Sequence, residues 1–303
     1  MGAPAFVSRG LEAADRFQRK NRVAGPAYGV TKKFSDDKAN LYVVALGWYG
    51  FTAIYPLLLV VITIFGFIGE ASLGTSVVHT LHEFPVIGSQ FNAANGGQSL
   101  HGSGIGLVIG LVTLLYGAQG VTQTAQQAMA SVWDIPRAER PGFAVRLARS
   151  LGGLAIIGGT FLLNSVLASL ATARAESLAL RIGVIVALFV ANVALYTASF
   201  VVLTAAERGV RQYLPGAITA AAGFTALITV GSGLVQHQLR HSSSTYGAFA
   251  AIIGVVLFLL LLAKLTMYAA ELNPVLAERL WPRALVSSNP TKVDKKVAAR
   301  GGT

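Results

Sequence analysis

The groups in this sequence best placed to do chemistry are polar side chains set within otherwise apolar stretches. Gln119, Gln123 and Gln126 recur at intervals of four and three, with Gln127 beside them, so a helix would align their amides in a stripe descending towards Trp133. Asn164 and Asn192 stand singly near the middle of two further apolar runs, and Tyr196 follows one turn after Asn192. Lys264, Glu271 and Asn273 close the last run, with Lys264 and Glu271 seven residues apart on one face. In lipid each of these needs a partner or a water-filled cavity. Together they would line a polar path or pocket opening to the cytoplasm, able to hold a headgroup or a small polar solute. The plainer role is joining helices, at about 0.6 to 2 kcal/mol per interhelical hydrogen bond. Single amides such as Asn164 and Asn192 favour that role, and for the glutamine stripe the two stand level. Lys264 either snorkels to the interface or pairs with Glu271.

Catalytic chemistry finds little support. No Walker loop, dinucleotide fingerprint, nucleophile elbow or carboxylate pair at depth is present, so no enzyme activity is expected. With no cysteine at all, thiol nucleophiles, iron–sulfur clusters and Cys-based zinc sites are excluded. The five histidines form near pairs, His79 with His82 and His237 with His241, plus His101; Glu83 could complete a ligand set. Without a His-Glu-x-x-His pattern, and with Gly and Ser abundant nearby, solvated loop residues are the preferred reading. No metal and no cofactor is expected.

What must position these groups is a set of membrane-crossing helices. Of the 303 residues 53% are hydrophobic and only 12% charged, where an average soluble domain carries roughly 25% charged residues. Six stretches, at about 41–68, 104–132, 151–170, 182–203, 214–235 and 246–267, are each long enough to cross ~30 Å of hydrocarbon at ~1.5 Å per residue. The fold class is therefore all-α and polytopic: a segment 1–40, a six-span domain 41–280 and a basic tail 281–303. Pro56 removes a backbone hydrogen bond inside the first span and is a hinge candidate. Gly106 and Gly110, and Gly152, Gly153, Gly158 and Gly159, suit close helix packing. No cleaved signal peptide is expected, since the first 40 residues are polar and basic.

The formal net charge of +11 then becomes a statement about orientation. With both termini cytoplasmic, 21 of the 24 Lys and Arg fall on the inner side and the outer side sums to zero. Arg174 and Arg181 in the second outer loop and Arg240 in the third are the outward exceptions, and all five histidines fall outside. Basic residues at span ends, without interleaved aromatics, argue for anionic lipid headgroups as partners rather than nucleic acid. A homo-oligomer is left open. Residues Phe6 to Lys20 plot as an amphipathic helix that would lie in the inner interface or pack on the bundle ends. The tail after Pro290 has the composition of a disordered segment.

Several short patterns then stand in order: Gly47-Trp48-Tyr49, Tyr55-Pro56-Leu57-Leu58, Ser131-Val132-Trp133, Leu214-Pro215-Gly216-Ala217, Tyr246-Gly247 and Ala270-Glu271-Leu272-Asn273. From about Leu41 to Leu280 the chain resembles the YihY/BrkB family of bacterial inner-membrane proteins. Ala269 stands where that family often has glycine. The resemblance implies a six-span envelope protein, linked to envelope integrity and to export of lipids or their precursors. It also carries an old ribonuclease label, which fits poorly with histidines that all fall outside. The function expected is moving or sensing a lipid or other amphipathic envelope component; the alternative is a non-transporting scaffold, and a ribonuclease comes third.

Overall fold

The computed structural model describes residues 5–21, 23–68, 104–173, 178–206, 208–241, 244–285 and 290–300. Among them the regular structure is helical: α1 (Ala5–Lys20), α2 (Ala24–Asp36), α3 (Ala39–Ile68), α4 (Gly104–Val132), α5 (Phe143–Ala173), α6 (Leu178–Leu203), α7 (Leu214–His241), α8 (Ser244–Glu278) and α9 (Lys292–Arg300), with two single 3-10 turns. All six expected spans fall on long helices, α3 to α8. Two of these, over Ile185–Leu203 and Ile253–Glu278, are apolar and long enough to cross a membrane by length and composition. Only 17% and 22% of their most apolar windows are buried, whereas the core helix of a soluble protein would be mostly covered. Their outward residues are large and apolar, as at Ile185, Val186 and Val190 on α6 and Ile253, Leu257 and Leu261 on α8.

The chain divides into two compact units. The second unit, Val43–Thr124 with Thr225–Ala263, joins its helices through small residues. A Cβ at Gly47 would come within 2.6 Å of Leu260 on α8, and one at Gly120 would meet the Tyr49 ring. Trp48, on the same turn of α3, points away and is 62% exposed.

The first unit comprises Met1–Tyr42, Ala125–Phe224 and Lys264–Thr303, and it holds every ion pair described below. α2 starts because the Asn21 carboxamide oxygen accepts the Val23 and Ala24 N–H groups, which have no partner inside the helix. One face of α2 then packs on the end of α8: Val30 closes a core with Val275 and Leu280, and Phe34 stacks on Tyr268 with ring centroids 4.1 Å apart. α5 and α6 pack side by side, with Gly152 against Val202, while Gly158 and Gly159 face open space.

Both terminal segments make defined contacts. α1 docks by its polar face: Asp15 accepts the Leu285 N–H and Gln18 donates to the Arg283 carbonyl, while Phe17 is 64% exposed. The tail is helical over Lys292–Arg300. Thr291 and Asp294 form a reciprocal capping box that starts α9, and Asp294 also holds Arg283 Nε and the Ala284 N–H. Low hydrophobicity predicts disorder only where local and tertiary hydrogen bonds are absent, and here one carboxylate collects them.

Candidate functional site

Four charged side chains of the first unit meet where α2, the end of α4 and the C-terminal end of α8 come together. Lys33 Nζ lies 2.6 Å from Asp37, 3.5 Å from Asp134 and 3.8 Å from Glu271. Side-chain exposure falls from 38% at Asp134 through 12% at Asp37 and 4% at Lys33 to 0% at Glu271. The cluster thus leads from water to a fully buried carboxyl group. Burial alone would lower the Lys33 pKa, but Glu271, Asp37 and Asp134 outweigh it and hold the ammonium above its usual range. Asp37 is pushed up by burial despite the pull of Lys33.

Each member is placed by a local backbone feature. Lys33 and Asp37 sit four residues apart, one helical turn. Asp134 terminates α4 in the left-handed region, φ 51°, with Ile135 N–H bonding Ala130 O and Asp134 N–H bonding Ser131 O. Glycine usually takes this position, and an aspartate there bears a backbone cost of order 1 kcal/mol. That cost is met while the carboxylate faces Lys33. Glu271 is carried by α8 just before Pro274, which is buried within the helix.

The same stretch of α8 anchors α7. Asn273 Oδ1 accepts the Gly216 N–H at 2.7 Å, so a side chain of one helix caps the first turn of another. Gly216 is needed there, since a Cβ would collide with the Ala269 carbonyl and the Asn273 amide. The close approach lies at Gly216, opposite Ala269, so alanine at 269 does not prevent it. Nearby, Arg208 lies 4.9 Å over the Trp133 ring and 3.4 Å from Glu278, and Trp133 meets Tyr213 edge-on at 5.5 Å. Three of the short patterns, at Ser131–Trp133, Leu214–Ala217 and Ala270–Asn273, therefore converge in one place.

The other predicted residues are distributed differently. Glu271 takes its ion partner from α2, as Lys33, and not from Lys264 of its own helix, which is exposed. Gln126 joins α4 to α5, donating to the Arg146 carbonyl and to Ser150 Oγ at 2.9 Å. Gln123 and Gln127 are exposed, and Gln119 is half-buried with its carbonyl accepting from Thr122. Among the described residues the members of the stripe meet different surroundings. Asn192 donates to Leu188 O one turn back, and Tyr196 packs its ring against Phe200 and Phe224. The side chains of Pro56, Asn164, His237 and His241, and residues His79, His82, Glu83 and His101 altogether, lie outside the described residues. Among the described residues no group of three or more His, Cys, Asp or Glu could hold a metal ion, and in the carboxylate cluster the Lys33 ammonium occupies the centre.

Sequence reasoning missed Lys33, Asp37 and Asp134. The i,i+4 spacing of Lys33 and Asp37 was a usable signal, and so was an Asp directly after the Ser131-Val132-Trp133 helix end. Neither stands apart in the sequence from the other charged residues around it.

Compared with known proteins, the chain matches no curated protein and no solved structure. The family model described as Virulence factor BrkB matches residues 30–293, which takes in the charged cluster, the Gly216–Asn273 junction and both apolar helices. On that match over nearly its whole length, this chain belongs to the BrkB family of membrane-associated proteins.

Proposed function

We propose that the protein is a six-span protein of the bacterial inner membrane, both termini cytoplasmic, that moves or senses a lipid or other amphipathic envelope component. The observation that carries this is the buried charge cluster at the base of α8. Burying Lys33 and Glu271 costs several kcal/mol per ion, and well-packed apolar residues would commonly serve stability as well. Ionisable groups kept beside an apolar helix are best understood as working parts. The strong inner-side bias of Lys and Arg supports anionic headgroups as the partners at that face. No catalytic step and no nucleic acid is involved.

The scaffold reading has its own support in the Gln126 bonds between α4 and α5 and in Asn192, which bonds back along its own helix. Reconstitution into proteoliposomes separates the two. With Glu271→Ala at unchanged protein level, a transporter loses movement of a fluorescent phospholipid in the vesicles, while a scaffold keeps its envelope phenotype in cells. Wild-type vesicles that never move lipid, with an envelope phenotype indifferent to Glu271, would leave the scaffold.

A further inference from the structure

Glu271 is fully buried, and no hydrogen-bond donor reaches either of its carboxylate oxygens. Lys33 Nζ stands 3.8 Å away, beyond hydrogen-bond length, because Asp37 draws that ammonium to 2.6 Å. Asp37 and Glu271 nevertheless approach the same ammonium, at 2.6 Å and 3.8 Å from Lys33 Nζ, which brings the two carboxyl groups close to one another. Two ionised carboxylates offer only acceptors, so such a contact is repulsive unless one of them holds a proton. Charge leads to the same place. One ammonium faces three carboxylates, so the ionised cluster carries a surplus of negative charge in a site closed to water at its deep end.

The geometry points to a proton-binding site: Glu271 and Asp37 share one dissociable proton, with Lys33 as fixed counter-charge and Asp134 as the member open to water. The groups facing it are Lys33 from α2, Asp37 from the α2–α3 turn and Asp134 from the end of α4; the first turn of α7 brings the Gly216 N–H and no charge. Neighbouring charges pair elsewhere, Lys32 with Asp36 and Arg208 with Glu278. Burial of Asp37, which raises its affinity for a proton, is in keeping with this arrangement. The proton bears on the fold, since Glu271 lies two residues before the asparagine that caps α7. The site stands whether the chain moves a lipid or only assembles a complex, so it goes beyond the function proposed above.

The test uses the full chain in lipid nanodiscs and infrared difference spectra between acidic and alkaline pH, following the C=O stretch of a protonated carboxyl. The expected result is one such band at neutral pH, lost on alkalinisation and absent from both Glu271→Gln and Asp37→Asn. Glu271→Gln, the isostere of the protonated acid, should keep its melting temperature near neutral pH and lose the alkaline decline of the wild type. A neutral-pH spectrum without a protonated carboxyl, a band that survives both substitutions, or a Glu271→Gln melting profile that follows the wild type across the pH range would overturn the proposal. Should Asp37→Asn not fold, Glu271→Gln decides alone.

Discussion

Gly216→Ala tests the junction of α7 and α8, because the ordinary expectation for it has the opposite sign. In an exposed helix interior, replacing glycine with alanine stabilises by about 1 kcal/mol through lower chain entropy and better helix propensity. At Gly216 the new methyl group would have to occupy the space of the Ala269 carbonyl oxygen and the Asn273 amide. Backbone cannot give way as a flexible side chain can, so overpacking of about 1–3 kcal/mol is expected. Separating the helices also breaks the 2.7 Å bond from Gly216 N–H to Asn273 Oδ1, leaving a buried donor at about 1–3 kcal/mol. Against a gain of about 1, the net loss is roughly 1–5 kcal/mol. At roughly 2–4 °C per kcal/mol the melting temperature falls by several degrees. Intrinsic tryptophan fluorescence of the purified protein during heating in detergent would read it. Gly183→Ala on α6, where a Cβ meets nothing within 4 Å, serves as the control and should melt no lower than wild type. Asn273→Ala should cost less in the Gly216→Ala background than alone, since both remove one bond. Equal melting of Gly216→Ala and Gly183→Ala would refute the close approach.

Further outcomes follow from the charged groups. Lys33→Met strands three carboxylates and should destabilise by about 3–5 kcal/mol, whereas Lys33→Met with Glu271→Leu should recover part of that loss in the same melting assay. Asp294 is lowered from 3.8 to about 2: burial raises it, but bonds from Thr291, Arg283 and Ala284 prevail. Its stabilisation is present above pH 4 or so and is lost as pH falls through about 2. Asp294→Asn should therefore loosen the C-terminal segment at neutral pH, seen as faster proteolysis after Leu285, and remove the acid dependence of that cleavage. Reporter fusions at residue 95 and at the C-terminus should signal opposite sides of the membrane; a cytoplasmic signal from the first would reverse the proposed orientation.

The helices were legible because hydropathy is additive along a chain. Long apolar stretches name themselves, and 104–132 coincides with α4 while 41–68 falls two residues inside the start of α3. Glu271 and Asn273 were legible as polar residues at the end of an apolar run, since a polar group there needs a reason whatever its partner. The partners were not legible. Lys33 is one of five charged residues from Lys32 to Lys38 and looks like part of a solvated face; the stack of Phe34 on Tyr268 and the packing of Val30 on Val275 turn it inward towards α8. Asp134 likewise looks like a polar helix end, and its left-handed backbone and its approach to Lys33 exist only in three dimensions.

The sequence by itself determined that the chain is helical and apolar, and where its helices run. These follow from residue-by-residue transfer and propensity energies, which depend little on distant neighbours. Tertiary structure alone decided that Gln126 ties α4 to α5, that Glu271 answers to Lys33 more than two hundred residues earlier, and that the C-terminal tail folds around Asp294. Hydrogen bonds and ion pairs act over a few ångströms, so their pairing is set by which helices meet and at what register.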